Sequence, residues 1–174
     1  QYRMQCSDDF DEERLNLQWQ WNHQPCTGMY SLTGRPGWLR LKAFRPVEND
    51  KLMKAGNTLT QRCFRVHRNQ VDIRMDLSRM ADGQKAGLCH FSSNHAAAGV
   101  VREIGLLYME SRENDRVVRG EALGQQRYIW LRSTWGQDGV AHFYYSVNGD
   151  DFFPLGAPYQ MSYGAFRGDR IGIY

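Results

Sequence analysis

The carboxylates are the first residues to consider, because a pair of them could hydrolyse a glycosidic bond. Such chemistry needs two acids about 5–10 Å apart in a cleft. Most acidic residues lie in predicted turns or on the polar faces of predicted strands. Glu103 and Glu110 share one predicted strand, but an odd spacing places them on opposite faces. We therefore predict no catalytic residue, and a small glycosidase in its own right is the weakest alternative.

Nucleophilic and metal chemistry have little support in the sequence. No G-x-S-x-G elbow marks a nucleophile. The histidines lack the spacing of zinc ligands, with His90 and His95 the nearest pair, so zinc is not predicted. Calcium is a better hypothesis, because Asp8, Asp9 and Asp169 offer hard oxygen ligands near the two chain ends. The alternative is that these aspartates make ordinary turn and cap hydrogen bonds.

Binding residues are more promising, beginning with the stretch from Leu15 to Pro25. Apolar side chains alternate with amides from Leu15 to Trp21, which predicts a strand with two unlike faces. The strand is broken by Pro25, and Trp21, Asn22 and His23 lie just before this proline. An indole ring rimmed by amide and imidazole groups suits a sugar, whose C–H face it covers while polar groups meet the hydroxyls. The alternative is a core tryptophan followed by an ordinary loop.

Further candidates lie on predicted strands. Arg62 stands on a central strand, where a charge needs a partner or a groove. The aromatic residues of 127–135 and 140–147 alternate between faces, so some belong to the core and some are exposed. We assign Trp135 and Tyr145 to the substrate-binding set; the alternative places every aromatic residue in the core.

Composition limits the possible partners and the location. The chain has 174 residues, enough for one domain, and a net charge of +3 with scattered cations, which disfavours nucleic acid. No apolar run approaches the length of a membrane span. Cys6 and Cys26 lie in loop-like sequence and could pair in an oxidising compartment. Because the chain begins at Gln1, we expect a processed or trimmed product, secreted or periplasmic.

Short strands separated by turns dominate the rest of the chain. Pro36-Gly37 predicts a hairpin of residues 29–33 with 38–43. No long helical stripe is present, and 1–174 reads as one all-β domain, an antiparallel two-sheet sandwich. The other strands are predicted over 58–66, 70–78, 86–91, 100–110, 127–135, 140–147, 151–155 and 169–174.

Six motifs in order carry a resemblance to a known family. They are Trp19–Pro25 (WQWNHQP), Gly37–Leu41 (GWLRL), Leu59–Arg62 (LTQR), Met80–Leu88 (MADGQKAGL), Val140–Leu155 and Phe166–Gly172 (FRGDRIG). Together they resemble the C-terminal concanavalin A-like module of glycoside hydrolase family 43 β-xylosidases and arabinofuranosidases, over Ser7 to Tyr174.

The resemblance implies a jelly-roll sandwich that follows a five-bladed catalytic propeller, and this chain is too short to contain that propeller. In that family the module packs on the propeller, helps shape the active-site pocket and in some members binds xylan. By position, Trp21, Asn22, His23 and Arg62 become candidates for a surface that faces sugar or propeller. The resemblance thus favours a non-catalytic accessory module that binds xylan-type chains or completes a glycosidase pocket; a module that only docks on a propeller is the alternative.

Overall fold

The strands of this computed structural model are short and antiparallel. The structure describes residues 6–46, 48, 51–164 and 168–174, so Phe166 and Arg167 of the last predicted motif lie outside the described residues. The strands are β1 (Gln20–Trp21), β2 (Tyr30–Ser31), β3 (Arg40–Leu41), β4 (Leu59–Arg62), β5 (Asn69–Asp76), β6 (Lys85–Phe91), β7 (His95–Glu103), β8 (Leu106–Glu113), β9 (Arg116–Gly124), β10 (Tyr128–Trp135), β11 (Val140–Ser146), β12 (Phe153–Pro154), β13 (Tyr159–Gln160) and β14 (Arg170–Ile173). Two 3-10 turns, Thr27–Met29 and Leu52–Lys54, are the helical segments of this described part.

Two sheets form a sandwich, which confirms the predicted all-β, concanavalin A-like fold. The seven-stranded sheet has the order β1-β4-β14-β6-β7-β8-β9. The five-stranded sheet has the order β12-β11-β10-β5, with β13 paired to β11. A separate hairpin joins β2 to β3 around Gly37, whose φ of 76° fits the predicted turn.

The main core lies between the sheets, where strands from both sides turn alternate apolar residues inward. Leu88 and Met109 come from the seven-stranded sheet, and Ile129, Leu131 and Phe143 come from the five-stranded sheet. Each is at most 4% exposed. This packing fixes which side chains of β10 and β11 remain on the outside.

A smaller cluster covers the other face of the seven-stranded sheet. Cys89, Phe91 and Ala97 are buried there beneath Leu52 and Met53. Since β6 is covered on both faces, its residues from Gly87 to Phe91 are all buried instead of buried at every second position. Within the described ranges, no helix has the length and apolar character needed to cross a membrane.

Three strand predictions were wrong in detail. The predicted strand of 100–110 is two strands, β7 and β8, because the chain reverses at Ile104 and Gly105, both with positive φ. The exposed strand β9 was not predicted. Of the predicted strand from Leu15 to Trp21, only Gln20 and Trp21 pair with a neighbour, and the Leu17 side chain is fully exposed.

Candidate functional site

The solvent side of the five-stranded sheet carries a group of aromatic and charged side chains that point outward. We call this surface the outer face; its members are Gln70, Asp72, Arg74 and Asp76 of β5, Tyr128, Trp130, Arg132 and Thr134 of β10, and His142 and Tyr144 of β11. The register places them side by side, since Arg132 lies opposite both Asp72 and Tyr144. Alternation with buried Ile129, Leu131 and Ser133 forces these residues outward.

A row of three aromatic rings crosses one end of the outer face. The ring centroids of Trp38 and Tyr128 are 6.2 Å apart, and those of Tyr128 and Trp130 are 6.4 Å apart. Arginines lie on these rings: Arg74 is 4.1 Å from the Tyr128 centroid, and Arg35 is 4.0 Å from the Trp38 centroid. Guanidinium groups therefore cover part of the ring surface and hold the row rigid.

Asp76 forms ion pairs with two arginines that lie on the rings of this row. Its Oδ2 is 2.7 Å from Arg35 Nη1 and 3.6 Å from Arg127 Nη2. Burial by itself would raise the pKa of Asp76, but hydrogen bonds from Ser78 and Arg35 and the charge of Arg127 outweigh it and lower the pKa to about 2. The carboxylate is thus ionised throughout the ordinary pH range and keeps both arginines in place.

A cleft of about 480 Å³ occupies the other end of the outer face. Tyr144 and Phe152 supply aromatic surface, and Gln70, Arg132 and His142 supply polar groups at its edge. The Arg132 guanidinium is held by two hydrogen bonds to Asp72, of 2.7 and 2.9 Å, and it lies 3.7 Å from the centre of the Phe152 ring. Rings beside fixed hydrogen-bonding groups can bind a ligand that has apolar and hydroxylated faces.

The corner at Trp21 forms a second, separate cleft. Trp21 packs against Tyr30 with ring centroids 4.8 Å apart, and both line a cleft of about 450 Å³. The His23 Nε2 atom is 2.8 Å from the Met53 carbonyl oxygen, and the Asn22 backbone N–H donates to the Thr58 carbonyl. The imidazole therefore has a partner in the chain, and the corner holds the loop above β4 in place.

Arg62 does not join this corner. Trp21 pairs with Leu59 across the sheet, and Arg62 is three residues further along β4. An odd separation along a strand places two side chains on opposite faces, so Arg62 is exposed on the face away from Trp21.

Trp135 and Tyr145 point inward, so their assignment as open stacking surfaces was wrong. Trp135 is 6% exposed, and its indole N–H donates to the Phe64 carbonyl at 2.7 Å. Tyr145 packs against the main core, and its hydroxyl lies 3.4 Å from the Glu121 carboxylate. Trp130 and Tyr144 are on the outer face instead, and what identifies them is their cross-strand register with Arg74 and Arg132, which only the folded sheet shows.

The three aspartates suggested for calcium do not come together. Asp8 accepts a 2.6 Å hydrogen bond from the Trp19 indole and further bonds from Asn16 and the Phe10 backbone. Asp169 is buried and bonded to His90. In the described ranges, the one group of three or more metal-binding side chains contains Asp169 but neither Asp8 nor Asp9.

Cys6 and Cys26 do not form the suggested disulfide; the structure has no bond between them, and both are exposed. Glu103 and Glu110 both lie beside cationic side chains. Glu103 makes two hydrogen bonds with Arg119, and Glu110 lies 3.2 Å from Lys85 Nζ.

Known proteins resemble this chain in both sequence and fold. Residues 7–174 match the β-xylosidase C-terminal concanavalin A-like domain of GH43 enzymes. A β-xylosidase of Formosa agariphila is 32% identical over 96% of this chain, which spans 31% of that protein.

A bifunctional GH43-CE structure from Bacteroides eggerthii superposes with a TM-score of 0.85 at 29% identity, over 96% of this chain and 23% of that one. An engineered GH43 glycoside hydrolase with endo-xylanase and exo-arabinofuranosidase activity gives a TM-score of 0.82 at 26% identity, over 96% of this chain and 36% of that one. The chain thus spans about a third or less of these relatives.

Proposed function

Because this chain belongs to the β-xylosidase C-terminal concanavalin A-like domain family of GH43 enzymes, we propose that it is a non-catalytic accessory module that binds a xylan-type chain on its outer face. The cleft lined by Tyr144, Phe152 and Arg132 carries the proposal. The names of the relatives, a β-xylosidase and an enzyme with endo-xylanase activity, support xylan-type sugars as the ligand class. Such a ligand also agrees with the expected secreted or periplasmic location.

The proposed binding mode uses each group of the cleft for one feature of a pyranose. The Tyr144 ring covers the C–H face of one sugar, which removes apolar surface from water. The Arg132 guanidinium and the Gln70 amide donate hydrogen bonds to hydroxyls, and Asp72 keeps the guanidinium in position. Since Asp72 already neutralises Arg132, the cleft suits a neutral ligand better than an anionic one.

The expected affinity is modest. Few rings contact the ligand, and a flexible chain loses conformational freedom on binding, so about 4–7 kcal/mol remains, which corresponds to a Kd of roughly 10 μM to 1 mM. Weak binding of this kind suits a module that keeps an enzyme near its substrate while the polysaccharide is processed.

Calorimetric titration of the purified chain with xylohexaose tests the proposal. Tyr144→Ala removes the proposed stacking ring, while Tyr145→Phe changes the neighbouring, inward-facing residue and serves as the matched control. We expect saturable heat for the native chain and for Tyr145→Phe, and its loss in Tyr144→Ala. Heat that is lost in Trp21→Ala and kept in Tyr144→Ala would move the site to the Trp21 cleft. An arabinan oligomer in a parallel titration tests the choice of sugar.

A docking role on the catalytic region is the second candidate, and strand β9 favours it. This nine-residue strand ends the seven-stranded sheet, is exposed along nearly its whole length and presents Val117 and Val118. An exposed edge strand is a ready surface for another protein segment. If neither sugar gives heat, this role becomes the better one, and slower amide exchange of β9 in a longer enzyme that contains the module would support it.

A further inference from the structure

Three side chains that can ligate a metal meet inside the sandwich at one end of the main core. Cys63 follows β4, His90 lies on β6, and Asp169 precedes β14. The Cys63 Sγ and His90 Nδ1 atoms are 3.6 Å apart, His90 Nδ1 and Asp169 Oδ1 are 3.0 Å apart, and all three ligand atoms lie within 4.8 Å of one another. We propose that Cys63, His90 and Asp169 form a zinc site.

Two of the three separations between these atoms suit a tetrahedral ion. Zinc bonds of about 2.3 Å to sulfur and about 2.0 Å to nitrogen, at a tetrahedral angle, place the two ligand atoms roughly 3.5 Å apart. The observed distance between Cys63 Sγ and His90 Nδ1 is 3.6 Å. The same construction gives roughly 3.3 Å for a nitrogen and an oxygen ligand. The 3.0 Å between His90 and Asp169 must therefore lengthen by only a few tenths of an ångström to admit the ion.

The charges of the three ligands suit a buried dication. The side chains of His90 and Asp169 are at most 1% exposed, so an unbalanced charge at this point would be costly. A thiolate, a carboxylate and a neutral imidazole around Zn²⁺ sum to zero. The mixture of sulfur, nitrogen and one carboxylate oxygen also selects zinc over calcium or magnesium, which prefer oxygen ligands alone.

A second layer of residues orients the ligands. The other imidazole nitrogen of His90, Nε2, is 2.8 Å from Ser133 Oγ, so with Nδ1 on the metal the Nε2–H donates to that hydroxyl. The Tyr159 hydroxyl donates to Asp169 Oδ2 at 3.0 Å. Trp135 packs edge-on against the imidazole, with centroids 5.1 Å apart. These contacts fix the ring and the carboxylate in the orientation that a metal needs.

The Cys63 side is the more accessible side of the site. Cys63 is half-buried while the other two ligands are buried, and its backbone N–H donates to the Asp169 carbonyl at 3.3 Å. With three protein ligands, the fourth position of the tetrahedron is left for water. Zinc here would tie together β4, β6 and β14, which are adjacent in the seven-stranded sheet.

Metal analysis and cobalt spectroscopy on the whole chain test this site. Replacing exposed Cys6 and Cys26 with serine in every variant removes surface thiols that bind metals unspecifically. After chelation and reloading, we expect one zinc per chain, a thiolate-to-cobalt charge-transfer band with Co²⁺, and a thermal midpoint that rises with added zinc. Cys63→Ser should lose the bound zinc, the cobalt band and the rise in thermal midpoint. Cys89→Ser, which changes a buried thiol of the smaller cluster, should keep all three. Far-ultraviolet circular dichroism checks that both variants fold. Zinc well below one equivalent with no charge-transfer band would overturn the proposal and leave a hydrogen-bonded core network. So would zinc that Cys63→Ser retains in full.

Discussion

The Asp76 carboxylate gives this fold a pH dependence of predictable sign and size. It ends β5, where its Oδ2 accepts a 2.7 Å hydrogen bond from Arg35 and its Oδ1 accepts a 2.6 Å bond from the Ser78 hydroxyl. Burial opposes ionisation, but these bonds and the nearby Arg127 lower the pKa from 3.8 to about 2. A carboxyl whose pKa is lower in the folded chain stabilises that chain at pH values above its unfolded pKa.

The size follows from the same pair of values. The difference, 3.8 minus about 2, is about 1.8 pH units, and at ~1.36 kcal/mol per unit this gives about 2 kcal/mol. The contribution is complete above about pH 4 and is lost as the pH falls towards 2, because the folded chain must then bind the proton as well. Asp76→Asn cannot titrate, so the native chain should lose its advantage over that variant in this window.

Urea unfolding of the native chain and Asp76→Asn, in steps from pH 6 to pH 2, measures this effect. We expect a difference in unfolding free energy of about 2 kcal/mol at pH 6 that shrinks towards zero at pH 2. In an Arg35→Ala background the pH-dependent part should be smaller, because one of the groups that lower the pKa is gone. Parallel pH profiles for the native chain and Asp76→Asn would contradict stabilisation of the fold by the ionised Asp76 carboxylate.

Three further predictions concern the core and the smaller cluster. Trp135→Phe removes the indole bond to the Phe64 carbonyl and leaves a smaller ring at a buried position, so unfolding free energy should fall by about 1–3 kcal/mol in urea; an unchanged midpoint would contradict this. Gly99→Ala should destabilise by about 1–3 kcal/mol in thermal unfolding, since the added methyl would lie against the Ala86 backbone carbonyl and 2.5 Å from the Tyr174 hydroxyl oxygen; a neutral result would contradict this close approach of the Ala86 carbonyl. Burial raises the pKa of the Cys89 thiol, so a disulfide reagent should modify exposed Cys26 at once and Cys89 only on unfolding; rapid labelling of Cys89 in the folded chain would contradict its burial.

Most of the fold could be predicted from the sequence because most strands have one face towards the core. In β5, Val71, Ile73 and Met75 face inward and alternate with charged residues, and the predicted strand of 70–78 is confirmed within two residues. The Leu15 to Trp21 stretch shows the same alternation but belongs mainly to a loop, because the Trp19 indole bonds to Asp8 instead of packing in a strand. Alternation alone does not distinguish these two cases.

The candidate site was harder to predict because it depends on which of two adjacent aromatic residues points outward. Tyr144 and Tyr145 are neighbours with opposite directions, and local sequence gives no sign of which one faces solvent. The cross-strand pairing of Tyr144 with Arg132, and of Tyr145 with buried Leu131, decides it. These pairs join residues on different strands, so they cannot be deduced from the sequence before the fold is known.

The proposed zinc ligands illustrate the same limit more strongly. Cys63 and His90 are 27 residues apart, and His90 and Asp169 are 79 apart, so no short motif contains them. They meet because β4, β14 and β6 are adjacent in one sheet, which is a property of the topology. A search for closely spaced ligands could not find such a site.

A map of amide NMR shifts during titration with xylohexaose reports both whether the sugar binds and where it binds. We expect saturable shifts that centre on Gln70, Arg132 and Tyr144, while the amide signals of Trp21 and Tyr30 keep their positions. A spectrum that does not change with sugar, or saturable shifts confined to Trp21 and Tyr30, would contradict sugar binding on the outer face.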